Sequence, residues 1–170
     1  MTGHIYLIGF MGTGKSTVSK ALSQLLNTNE IEMDQELAKL FGMSIPAVFE
    51  TKGEEAFREM ESAYISSLSH QDAAVVSCGG GAVLRGENVS CMKQSGTIVL
   101  LTARPETVYE RVRANTDRPL LNGRMSVEGI AELMEKRQKI YAAACDFSVI
   151  TDERSPEDIA REIAEKIQTK

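Results

Sequence analysis

Short apolar runs punctuate the chain, and between them apolar positions recur with helical spacing. Residues His4–Ile8, 73–77, 97–101 and Phe147–Ile150 are apolar nearly throughout instead of alternating with polar ones. Such runs predict strands of a parallel sheet that helices cover on both faces. Residues 29–33 predict a weaker fifth strand, with Ile31 and Met33 on one face. Val18, Ala21, Leu22 and Leu25 fall at i, i+3, i+4 and i+7, which predicts one buried helix face. Residues 54–68 and 126–144 carry two longer helical patterns. A last helix opens at Ser155-Pro156-Glu157-Asp158, a capping serine followed by a proline and early acids, and stacks Ile159, Ile163 and Ile167 on its inner side. Strands alternating with helices predict a single three-layer α/β/α domain over residues 1–170, with a five-stranded parallel sheet and right-handed crossovers.

Composition keeps that picture and narrows the function. With 170 residues, 42% hydrophobic and 25% charged, the chain fits one ordinary globular domain. A formal charge of −5 argues against a nucleic-acid partner, which calls for a basic face. It leaves a nucleotide site open, because a few local cations and backbone N–H groups suffice there. Cys78, Cys91 and Cys145 lie far apart with neither a CxxC pair nor a zinc spacing, which suits a reducing cytosol. No basic leader precedes the first apolar run, and no run approaches the length of a membrane span. The expectation is a soluble cytoplasmic protein without nucleic-acid or membrane partners.

Gly9-Phe10-Met11-Gly12-Thr13-Gly14-Lys15-Ser16-Thr17 follows the first predicted strand and leads into the first predicted helix. A G-x-x-x-x-G-K-S run in that position is a phosphate-binding loop (P-loop). Its glycines let successive N–H groups converge on phosphate oxygens, and the helix N-terminus adds positive potential. Gly12, Thr13, Gly14, Lys15, Ser16 and Thr17 are therefore the candidate residues for binding a nucleoside triphosphate, which the family resemblance described below implies is ATP. Lys15 can reach the outer phosphates, and the Ser16 hydroxyl can ligate Mg²⁺.

Other candidates carry two readings each. Glu32 and Asp34 close the second predicted strand, where ligands of open α/β sheets collect. One can support Mg²⁺ through water and the other can accept a substrate proton, or both can simply cap the following helix. Gly79-Gly80-Gly81 after the third strand permits close backbone approach to a ligand, or forms a mere turn. Arg58 and Arg137 sit on helical patterns and can be anion ligands, or solvated arginines beside Glu54, Glu61 and Glu135. Arg118 lies in the irregular stretch 113–124, from which an arginine can close over phosphates. His4 and His70 lack an acidic or thiol partner at useful spacing and receive no chemical role.

These segments together resemble the shikimate kinase family almost end to end. The resemblance is carried by the P-loop, Ser44-Ile45-Pro46-Ala47-Val48-Phe49-Glu50, Gly53-Glu54-Glu55-Ala56-Phe57-Arg58-Glu59-Met60-Glu61, Gly79-Gly80-Gly81, Arg118-Pro119-Leu120-Leu121, and Arg137 followed by Tyr141. It implies a nucleoside-monophosphate-kinase-like fold with a mobile lid over 113–124 and a substrate-binding segment over 34–61. The implied reaction is transfer of the ATP γ-phosphoryl to the 3-hydroxyl of shikimate, in the pathway to chorismate and aromatic amino acids. The implied participants are ATP, shikimate, Mg²⁺ and a monomeric enzyme. By resemblance, Lys15, Asp34 and Arg118 are catalytic, with Asp34 placed to act as base. Asp34, Arg58, Gly79, Gly80, Gly81 and Arg137 bind shikimate, the two arginines on its carboxylate. Arg111 and Arg154 flank the adenine, while Ser16 and, through water, Glu32 hold the metal.

The family usually has Asp-x-Asp where this chain has Glu32-Met33-Asp34, so the carboxylate at 32 reaches one methylene further. A gluconate or nucleoside-monophosphate kinase is the alternative on the same fold, although the arginines at 58 and 137 suit a carboxylate. A GTP-dependent switch would carry an Asn-Lys-x-Asp segment, which the chain lacks.

Overall fold

The computed structural model describes residues 3–113 and 125–169. Along the chain run β1 (His4–Ile8), α1 (Lys15–Leu26), β2 (Asn29–Glu32), α2 (Met33–Phe41), α3 (Ile45–Thr51), α4 (Gly53–Leu68) and β3 (Ala74–Ser77). A 3₁₀ turn (Ala82–Leu84) then leads to α5 (Gly86–Ser95), β4 (Gly96–Thr102), α6 (Pro105–Val112), α7 (Val127–Ala144), β5 (Phe147–Ile150) and α8 (Pro156–Gln168). The strands form one parallel sheet in the order β2-β3-β1-β4-β5. This is the predicted α/β class, with all five strands present.

Alternation along β1 shows why the strand is apolar throughout. Ile5 and Leu7 face a core shared with Val18 and Leu22 of α1 and Ile159 and Ile163 of α8. Tyr6 and Ile8 face the opposite core, against Phe57 and Ile65 of α4, Met92 of α5 and Ile130 and Tyr141 of α7. Both faces of the strand are thus covered, as parallel pairing with helical crossovers requires. His4 is buried and structural: Ala74 N–H donates to its Nδ1 at 3.2 Å, so Nε2 carries the proton and donates to Leu68 O at 2.8 Å. It ties the end of α4 to the start of β3.

Three expectations change. Leu25, placed by periodicity on the buried face of α1, is half exposed. The buried stripe runs instead through Val18, Ser19, Leu22 and Ser23. The two serines are admitted because their hydroxyls are satisfied: Ser23 Oγ donates to Lys20 O at 2.9 Å within the helix, and Ser19 Oγ donates to Glu30 Oε1 of β2 at 2.5 Å. Met33 belongs to α2 and not to β2, since the helix begins directly after Glu32, and it is nonetheless fully buried. Finally α2, α3, α5 and α6 are short helices that hydrophobic spacing did not single out. The α8 start matches its sequence signal, with Asp158 N–H donating to Ser155 Oγ at 3.1 Å. No helix among the described residues is long and apolar enough to cross a membrane.

Burial sets a clear stability contrast between two helix positions. Ile163→Ala, at a site with 0% exposure, is expected to lower unfolding free energy by about 2–5 kcal/mol. Leu25→Ala should change it by no more than about 0.5 kcal/mol. Urea titration of both variants measures the difference, and equal losses would contradict the orientation of α1.

Candidate active site

The order β2-β3-β1-β4-β5 sets strands that are distant in sequence side by side, and their carboxyl ends gather the candidate residues. The P-loop leaves β1 at Gly9, whose φ of 145° suits glycine. A Cβ there would lie 2.4 Å from Leu101 O, so only a bare backbone passes β4 at this point. Gly14 caps α1, and Val18 N–H donates to its carbonyl at 2.9 Å. The N–H groups of the first turn of α1 have no acceptor within the helix, which makes this end receptive to an anion. Lys15 Nζ folds back onto the loop, donating to Gly9 O at 2.9 Å and Phe10 O at 3.1 Å. Those carbonyls hold the ammonium over the cradle, within reach of an incoming phosphate.

The loop's other side chains are not equivalent. Thr13 is buried, its hydroxyl donating to Phe10 O at 2.7 Å, so only its backbone is offered to a ligand. Thr17 Oγ1 donates to Gly14 O at 2.9 Å. Ser16 is exposed at the helix start. Behind it Glu32 ends β2, in register with Ser77 of β3. Burial pushes the Glu32 carboxyl above the usual glutamate range, while the Ser16 and Ser77 hydroxyls draw it back. Even so, Glu32 Oε2 and Ser77 Oγ are buried without a completed hydrogen bond among the described residues. Glu32 occupies the N-cap position of α2 but makes no side-chain capping bond. The capping alternative therefore does not hold for it.

The glycine turn after β3 is where the remaining candidates converge. A Cβ on Gly79 would lie 3.0 Å from Asp34 Oδ1 and 3.2 Å from Glu61 Oε1. On Gly80 it would lie 3.6 Å from Tyr141 Oη, 3.8 Å from an Arg137 guanidinium nitrogen and 3.8 Å from Gly9 O. On Gly81 it would fall 2.3 Å from Arg58 Nη2. Missing side chains at three successive positions thus make the room in which Asp34, Glu61, Arg137, Tyr141 and Arg58 approach one backbone turn. Arg137 Nη1 and Tyr141 Oη, one helical turn apart on α7, both donate to Gly80 O, at 3.4 and 2.5 Å.

Arg58 is not a solvated helix arginine: its side chain is 12% exposed and its Nη1 donates to Glu61 Oε2 at 2.7 Å. Glu61 is fully buried; desolvation raises its carboxyl pKa, and the Arg58 charge pulls it down. Arg58 Nε and Glu61 Oε1 remain without hydrogen-bond partners among the described residues. The pair therefore keeps one donor and one acceptor uncommitted, both buried.

Arg111 points at the back of the P-loop, donating to Gly12 O at 3.1 Å and Thr151 O at 3.0 Å. Arg154 turns toward α8, where it donates to Asp158 O at 3.3 Å and pairs with Glu162. Arg118, and the expected lid beyond Arg113, lie outside the described residues. Glu61, Ser77 and Tyr141 were not singled out as site residues from sequence. Glu61 had a usable signal, three residues after Arg58 on one helix. Ser77 had none beyond its place at a strand end.

Comparison with known proteins agrees with this geometry. The family model described as Shikimate kinase matches residues 11–168. The shikimate kinase of Persephonella marina is 42% identical, over 97% of this chain and 99% of its own. That of a Sulfurihydrogenibium species is 39% identical over 97% and 98%. Among solved structures, the shikimate kinase of Acinetobacter baumannii in complex with shikimate superposes with a TM-score of 0.93 at 31% identity, covering 99% of this chain and 94% of that one. The Aquifex aeolicus shikimate kinase gives 0.83 at 39% identity, covering 97% and 96%. A gluconokinase from Sinorhizobium meliloti, at 16% identity and 0.58, shares the fold alone. Matched over nearly its whole length in both sequence and backbone, the chain belongs to the shikimate kinase family.

Proposed function

We propose that this chain transfers the γ-phosphoryl group of ATP to the 3-hydroxyl of shikimate, giving shikimate 3-phosphate on the route to chorismate and aromatic amino acids. The observation that carries the reading is the glycine turn: Arg58 on one side, Arg137 on the other, Asp34 over Gly79, and the P-loop carbonyl Gly9 O beside Gly80. A small anionic polyol suits that arrangement. The guanidinium groups of Arg58 and Arg137 take its carboxylate, and Asp34 takes a ring hydroxyl. The acceptor oxygen then sits between Asp34 and the phosphate cradle.

Catalysis rests on positioning and charge. Lys15 leaves the Gly9 and Phe10 carbonyls for the outer phosphates, with the first turn of α1 holding the same oxygens. Asp34 accepts the proton of the attacking hydroxyl as the new P–O bond forms and the bond from the γ-phosphorus to the β–γ bridging oxygen breaks, that oxygen leaving with ADP. Tyr141 and Arg137 fix Gly80 O, and Glu61 fixes Arg58, so the substrate-facing groups are preset. Arg118 is assigned to the transferring phosphoryl group by resemblance.

The donor set suits Mg²⁺. No group of three or more His, Cys, Asp or Glu that could hold a metal ion occurs among the described residues. A hydroxyl on Ser16 and the orphaned carboxylate oxygen of Glu32 are the groups on hand, which fits an ion that draws its other ligands from phosphates and water. Held by the Ser16 hydroxyl and, through water, by Glu32, a bound Mg²⁺ would offset the negative charge of the phosphates. We take the enzyme to be a monomer, as the resemblance to the family implies. The free thiols of Cys78, Cys91 and Cys145 suit the reducing cytoplasm where we place the protein.

A coupled ADP-release assay with shikimate, gluconate and AMP side by side tests the assignment, and turnover with gluconate or AMP but not shikimate would overturn it. Asp34→Asn is expected to lower kcat by about 10²–10⁴-fold, whereas Glu32→Asp stays active. A fully active Asp34→Asn enzyme would remove the base role. Arg58→Ala and Arg137→Ala should each raise KM for shikimate by about 10–100-fold while KM for ATP moves little. Gly81→Ala should imitate Arg58→Ala in that assay and also lower the melting temperature, because its new methyl group meets the guanidinium that pairs with buried Glu61. An unchanged KM would contradict the crowding at this turn.

A further inference from the structure

Thr151 follows β5 in the turn to α8, remote in sequence from the P-loop, and is 1% exposed. Its N–H donates to Thr102 O at 2.9 Å. Its hydroxyl oxygen lies 2.9 Å from Thr13 O, 3.2 Å from Thr102 O and 3.1 Å from Arg111 Nη1. A hydroxyl has one proton to give. Thr102 O already accepts the Thr151 N–H, and Thr13 O is the nearer acceptor, so the proton goes to Thr13 O. The same oxygen accepts from Arg111, whose Nη1 also reaches Gly12 O at 3.1 Å. Two successive P-loop carbonyls, Gly12 and Thr13, are thereby held from behind by the β5–α8 turn and the arginine seated on it.

Peptide planarity converts that hold into a statement about the front of the loop. Across a trans peptide the carbonyl of one residue and the N–H of the next point in opposite directions, and no cis peptide occurs among the described residues. Drawing Thr13 O onto Thr151 therefore turns the Gly14 N–H away from the β5–α8 turn, where a phosphate oxygen can accept it. The turn does not rely on this hydroxyl for its own placement. Asp152 accepts from the Arg104 N–H at 3.0 Å and from Thr107 Oγ1 at 2.5 Å, fastening it to the start of α6.

We propose that Thr151 is a positioning residue of the ATP site, its buried hydroxyl setting the Thr13–Gly14 peptide in the orientation that binds phosphate. The proposal rests on the reading of this loop as the ATP site. The test measures equilibrium binding of ATP and of inorganic triphosphate to the full chain, together with KM for ATP and for shikimate, in wild type, Thr151→Ser and Thr151→Val. Thr151→Val should weaken both ATP and triphosphate by about three- to tenfold, with KM for shikimate little changed and a modest fall in melting temperature, because Thr13 O loses a buried donor. Thr151→Ser, which keeps the hydroxyl, should bind as wild type does. Wild-type ATP affinity in Thr151→Val, a loss for ATP but not for triphosphate, equal rises in both KM values, or a Thr151→Ser chain as weak as Thr151→Val would each overturn the role. A wild-type chain that binds no ATP would overturn the reading of the loop instead. If Thr151→Val does not fold, Thr151→Cys, of similar shape with a poor donor, is judged by the same outcomes.

Discussion

β1 and β3 pair in parallel with Leu7 opposite Ser77, and the Cys78 N–H extends that pairing onto Leu7 O at 3.0 Å. Two loops that are far apart in the chain consequently leave the sheet side by side. One is the P-loop and the other is the glycine turn, and a Cβ on Gly80 would lie 3.8 Å from Gly9 O. A phosphoryl group and its acceptor must come within bonding reach during transfer. Backbone pairing between non-consecutive strands provides that approach, and each functional side chain is placed relative to it.

Proximity of two loops would still leave no room for chemistry if the turn carried side chains. Gly79, Gly80 and Gly81 resolve the conflict by absence. Asp34 comes from α2, Arg58 and Glu61 from α4, Arg137 and Tyr141 from α7, and all reach the same few atoms of main chain. Glu61 shows the energetic cost of this concentration. Its carboxylate is buried against its preference for water, and Arg58 offsets the penalty only in part. The pair orients a guanidinium at the cleft, and removing either partner would leave the other charge buried alone.

The P-loop shows the same economy on its rear face. Its front must present N–H groups to phosphates, so its carbonyls need donors elsewhere. Arg111 and Thr151 take Gly12 O and Thr13 O, while Lys15 takes Gly9 O and Phe10 O. Nucleotide affinity thus depends on a turn on the far side of β4 as well as on the glycines.

Much of this was legible in the residues. Unbroken apolar runs gave a doubly covered parallel sheet because each face of β1 meets its own helical layer. The P-loop was recognisable because phosphate binding demands glycine, lysine and serine at fixed spacing between a strand and a helix. Periodicity erred at Leu25, since it cannot register that Ser19 finds the Glu30 carboxylate and Ser23 the Lys20 carbonyl, so that both can be buried. For Arg58 helical spacing favoured a solvated arginine beside nearby acids over an anion ligand; the acids are there, Glu61 and Glu54, but the side chain is only 12% exposed. Ser77 and Thr151 gave no signal of function, and Tyr141 entered only through the family resemblance, because their importance lies in contacts with residues 40 to 138 positions away, or simply in a strand register. Local sequence determined which backbone could cradle a phosphate and where strands and helices would form. Only the folded sheet decided which carboxylate, arginine and hydroxyl would meet it, because hydrogen bonds and desolvation act over a few ångströms in space with no regard for distance along the chain.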